Sequence, residues 1–83
     1  SNYIFNYILS WIVVIQIIRR LRHMVQVHHV KGDILIEAHP DVLNLLKDKK
    51  RKAEWERELK RTLYFEASHH PNREGFSILS YEP

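Results

Sequence analysis

Cysteine is absent from the 83 residues, glycine occurs only twice and methionine once. Without cysteine no disulfide and no thiolate metal site can form, which fits a reducing, cytoplasmic setting. Neither glycine nor proline occurs before Gly32, and residues 1–18 carry no charge of either sign. Nothing therefore punctuates the first third of the chain. Disorder is excluded by a hydrophobic content of 45% with three prolines. The length bounds one small domain, 1–83, whose core supplies only about 3–5 kcal/mol of net stability.

The net charge of +3 conceals an uneven distribution. Residues 19–31 hold Arg19, Arg20, Arg22 and Lys31 with no acid. Residues 47–62 hold eight bases against four acids, and five of those bases fall within positions 47–52. Clustered bases of this kind are what attract phosphate.

From Tyr3 to Ile18 the chain reads YIFNYILSWIVVIQII and runs on into RRLRHMVQV. A strand of that length would be exceptional, so the pattern predicts one helix over residues 3–26, apolar on nearly every face. The α+β core follows over 33–83. DILIEA (33–38) alternates as a strand, with Ile34, Ile36 and Ala38 on one face and Leu35 and Glu37 on the other. His39-Pro40-Asp41 starts a helix, because proline suits its first position and an acid suits its positive end. Val42, Leu43, Leu45 and Leu46 give that helix its apolar face. AEWERELKRT forms a further helix, with Trp55 and Leu59 on one side and Glu56 spaced to pair with Lys60. LYFEA (63–67) and FSILSY (76–81) alternate as strands, joined through SHHPNREG by a loop or hairpin. The expected fold is α+β, a sheet of about three strands covered by helices on one face. Such a sheet hides one side of the first helix, and something else must cover the rest.

Two candidate surfaces emerge. Lys47, Lys49, Lys50, Arg51 and Lys52, in a loop between two helices, are candidates for nucleic-acid phosphate, with Arg19, Arg20 and Arg22 extending the patch. Phe5, Tyr7, Ile8, Trp11, Ile12 and Ile15 are candidates for an interface, either with a second copy or partner chain or with a membrane. As a membrane span the apolar run is short, 16 residues against about 20, and contains Asn6, Ser10 and Gln16. The arginines after it suit a cytoplasmic flank. No basic segment or cleavage pattern marks it as a secretory signal. His28-His29 and His69-His70 lack a carboxylate or thiol at ligand spacing, so neither metal nor cofactor is expected. Glu54, Glu56 and Glu58 alternate with bases as an ordinary charged helix face, and no catalytic constellation stands out.

A strand leading into AHPDV (38–42), LL at 45–46, a charged helix ending in ELKR, a strand at 63–67 and an H-P loop before FSI (76–78) resemble the C-terminal small domain of the ribonuclease E/G family. The resemblance covers about 45 of the 83 residues, Ile34 to Ile78. It implies a non-catalytic piece of an RNA-processing enzyme that contributes to oligomer assembly and makes auxiliary RNA contacts. The family's catalytic carboxylates and zinc-linking cysteines lie upstream of this piece, so none is carried over. Where the family has a charged amphipathic helix, this chain is apolar to Ile18. The strand–helix–helix–strand order of residues 33–67 also resembles KH-type RNA-binding domains. The KH loop carries G-x-x-G, whereas the corresponding residues here are KDKKRK, which leaves side-chain contacts to phosphate.

Overall fold

The computed structural model describes residues 2–68 and 72–81. Helix α1 (Asn2–Arg22) passes into one π-helical turn, His23–Val27. Strand β1 (Asp33–Ala38), helices α2 (Pro40–Leu46) and α3 (Lys49–Leu59), and strands β2 (Leu63–Ala67) and β3 (Phe76–Tyr81) complete an α+β fold. The expected helix over 3–26 is thus α-helical to Arg22 and π-helical beyond it. His28 N–H reaches the His23 carbonyl at 3.1 Å, a spacing of five residues that widens the last turn. His29 (φ 54°) and Gly32 (φ 93°) then reverse the chain into β1.

The sheet order is β2-β1-β3, with β1 parallel to β2 and antiparallel to β3. Strands β2 and β3 occupy opposite edges, which excludes the hairpin reading of SHHPNREG. The segment carries the chain from one edge to the other; His69, His70 and Pro71 lie outside the described residues. A parallel pair needs a crossover rather than a tight turn, and α2 with α3 supplies it. Register pairs Ile34 with Leu63, Ile36 with Phe65 and Ile78, and Ala38 with Phe76, so these side chains share the covered face. Ile34, Ile36 and Ala38 are fully buried because β1 is central. On the open face, Leu35 lies between the exposed Tyr64 and Leu79.

The core joins Val13, Val14, Ile17, Ile18 and Leu21 of α1 to Val42, Leu43 and Leu46 of α2, Leu59 of α3 and the inner sheet face. Buried Ser10 donates its hydroxyl to the Asn6 carbonyl at 2.9 Å, so this hydroxyl is satisfied inside the core. The helix boundaries have local causes. His39 caps α2, its Nδ1 accepting from Asp41 N–H at 3.0 Å. Asp48 caps α3, accepting from Arg51 N–H at 3.2 Å. Helix α3 ends at Lys60, which takes a left-handed conformation (φ 56°). That departure breaks the expected Glu56–Lys60 pair. Glu56 instead meets Lys52 at 3.5 Å and accepts the Leu63 backbone N–H at 2.8 Å, tying α3 to the start of β2.

Candidate interaction surfaces

Two apolar faces run along α1. The buried positions 10, 13, 14, 17, 18 and 21 define the inner one. Phe5, Ile8, Ile12 and Ile15 lie roughly 180° away at about 100° per residue, and they are 61%, 52%, 45% and 54% exposed. Their spacing of three, four and three residues is that of a coiled-coil seam. Ile4, 59% exposed, flanks them. Tyr7 is exposed but lies off this stripe, its ring edge-on to Trp11 at 6.5 Å. Trp11 differs from its expected outward role. It is half-buried, packed against the core and covered by the Arg51 guanidinium at 4.7 Å.

By length and composition, Asn2–Val27 could cross a bilayer. The fold restricts how. Val13, Val14, Ile17, Ile18 and Leu21 already face the domain core, so an upright span would pull them out of it. Only the outer face is free.

The basic run is not an inter-helix loop. Lys47 and Asp48 alone connect α2 to α3, and Lys49–Lys52 form the first turn of α3. Fixed in a helix, these side chains diverge around its axis. Arg51 lies on Trp11 and donates to the Leu45 carbonyl at 3.3 Å, while Lys52 faces Glu56. Lys47, Lys49 and Lys50 are exposed, with no ion pair among the described residues.

The three arginines of α1 do not extend this run into one patch. Trp11 meets Arg51 while Arg22 meets Glu58, so α1 and α3 lie side by side with the two basic groups at different ends. Eleven residues of helix separate Trp11 from Arg22, about 16 Å at 1.5 Å per residue. Arg22 grips Glu58 through Nε–Oε2 at 2.7 Å and Nη2–Oε1 at 3.0 Å. The hydrogen bond holds the Glu58 carboxyl below its ordinary range and the Arg22 guanidinium above its own. Arg20 lies over the Phe76 ring at 4.8 Å. Arg19, Arg20 and Arg22 line an open cleft with Gln16, His23, Gln26, Val27 and Phe76. Gln16, His23, Gln26 and Val27 share the helical stripe of Arg19 and Arg20, a spacing legible in the sequence, whereas Phe76 reaches the cleft only through the packing of β3.

No group of three metal-ligating side chains occurs among the described residues. His28 packs edge-on against His23 at 4.6 Å. Comparison with family models, curated proteins and solved structures returns no match to the chain.

Proposed function

We propose that the chain is a non-catalytic assembly module of a ribonuclease E/G-like RNA-processing enzyme, which pairs with a second copy through the outer face of α1 and offers its free bases to RNA phosphate. The observation that carries this reading is the second apolar stripe of α1, opposite the one that serves the core. Water meets Phe5, Ile8, Ile12 and Ile15 in the isolated chain, and a matching helix would remove them from it. With Ile4, these side chains offer on the order of 100 Å² each. A pair of stripes therefore buries roughly 1,000 Å² in total, the lower end of specific interfaces. Antiparallel pairing sets Ile8 against Ile12 and Phe5 against Ile15, and it opposes the helix dipoles favourably. It also carries the two Arg19 side chains to opposite ends, roughly 27 Å apart along the helix. Parallel pairing would stack the arginines face to face.

One observation favours a rival reading, a membrane- or partner-docked subunit with no RNA role: the arginines directly follow an apolar helix of spanning length. Sedimentation equilibrium of the chain and of Ile8→Asp/Ile12→Asp, with vesicle co-sedimentation of both, separates the two. The assembly reading expects a dimer at tens of micromolar and a folded monomer for the variant. A monomeric parent chain that binds vesicles, and loses them in the variant, overturns it in favour of membrane docking.

A further inference from the structure

The arginine cleft differs from the lysine run in being built. It is open, about 690 Å³, within the size range of small-ligand sites. Two surfaces form it: the C-terminal end of α1 with its π-turn, and Phe76 at the start of β3. Gln16, Arg19, Arg20, His23, Gln26 and Val27 follow helical i, i+3, i+4 spacing along one side of α1 and its π-turn. Among the described residues, no acidic side chain lines the cleft.

Each arginine there has a defined state. Arg22 is committed to Glu58 through two hydrogen bonds, so its charge is balanced. Arg20 has its guanidinium plane fixed by Phe76, yet none of its N–H groups meets an acceptor among the described residues. Arg19 is exposed and likewise unpaired among them. Two uncompensated positive charges therefore face one cavity, with Gln16 and Gln26 amides beside them. A guanidinium already held in place loses less freedom when it binds, and its fork matches two oxygens of a phosphate. A carboxylate would present two oxygens and one charge. A phosphate group presents more acceptors and, as a monoester or as two adjacent diesters, the two charges needed.

We infer that this cleft is a nucleotide-phosphate site, with Arg19 and Arg20 as the binding forks and Arg22 held back by Glu58 as part of the wall. The inference rests on the RNA part of the reading above and gives it a place: phosphate is met in the cleft, not along Lys47–Lys52. The phosphate belongs either to a free nucleotide or to an RNA strand, and two probes distinguish them.

The test is a titration of adenosine monophosphate and of labelled decauridylate at two salt concentrations, followed by anisotropy and by the arginine side-chain NMR signals. It uses the intact chain, Arg19→Gln/Arg20→Gln, Arg20→Lys and Lys49→Gln/Lys50→Gln, each checked for folding by circular dichroism. The expected result is binding weakened at least tenfold in the double arginine variant, with a flatter salt dependence as two phosphate contacts are lost. Arg20→Lys keeps the charge but not the fork and also weakens binding. Shifts of the Arg19 and Arg20 signals with both probes assign the site to free nucleotide as well as strand, and shifts with decauridylate alone assign it to the strand. Binding lost in the lysine variant and kept in the arginine variant overturns the cleft and leaves an RNA role standing. Absence of binding to either probe overturns both.

Discussion

Arg51 sits in the middle of the basic run, and replacing it with alanine tests whether that run is structural at this point. Its guanidinium lies 4.7 Å from the Trp11 ring centroid and donates to the Leu45 carbonyl at 3.3 Å. Loss of the ring contact at a partly exposed site costs about 0.5–1 kcal/mol. The long hydrogen bond adds roughly 0.5 kcal/mol, and lost packing of the aliphatic stem a further few tenths. The sum is about 1–2 kcal/mol. In a domain of this size each kcal/mol moves Tm by about 4–8 °C, so Arg51→Ala should melt roughly 4–16 °C early. Lys50→Ala, at an exposed position with no ion pair among the described residues, should stay within about 0.5 kcal/mol of the parent. Thermal unfolding followed by circular dichroism measures both. One protein concentration must be used throughout, because self-association also raises Tm. Equal melting of the two variants would refute the argument, showing that the Trp11 contact contributes nothing.

Glu58 is held below its ordinary carboxyl range by Arg22, so the pair stabilises the fold at neutral pH and loses that effect as pH falls through the folded-state value, below the usual 4.5. Chemical denaturation should therefore show Glu58→Gln weaker than the parent at pH 7 and the two converging once the pH has fallen below the lowered Glu58 value; a gap that persists in acid would exclude this cause. The effect is small and shrinks in high salt, since both side chains are well exposed. Lys60 holds a left-handed conformation that glycine adopts without a Cβ clash, so Lys60→Gly should raise stability by about 0.5 kcal/mol despite glycine's greater freedom when unfolded. A lower Tm for that variant would mean that the Lys60 side chain stabilises the C-cap in some other way.

The regular elements were legible because their signals are local. Alternation marked β1, β2 and β3 within their observed bounds, and His39-Pro40-Asp41 marked the start of α2. The first helix was legible from the missing glycine and proline. The π-turn was not, since nothing in HMVQV distinguishes five-residue from four-residue hydrogen bonding. The start of α3 was read too late because Lys49–Lys52 look like a solvated connection. Asp48, one residue earlier, is the N-cap that sets the true start. The hairpin reading failed for a different reason. Two neighbouring strands usually pair, but β1 outcompeted each for the other's edge.

The candidate surfaces divide in the same way. Composition marked α1 as too apolar for a single covered face, and the stripe of Phe5, Ile8, Ile12 and Ile15 was contained in that expectation. Which residues point outward required the core. Once Val13, Val14, Ile17 and Leu21 face the sheet and α2, helical geometry turns Ile8 and Ile15 to the far side, while Trp11 falls beside α3 and under Arg51.

What the sequence determined by itself was the elements and the surplus of apolar surface, because periodicity, caps and composition act over a few residues. Only the tertiary structure decided the strand order, the division of the bases into a structural Arg51, a paired Arg22 and an exposed Arg19, and the cleft that joins α1 to Phe76. Those depend on contacts between residues 36 and 56 positions apart, Arg22 with Glu58 and Arg20 with Phe76, and no local pattern encodes a distance that the packing of a whole core must set.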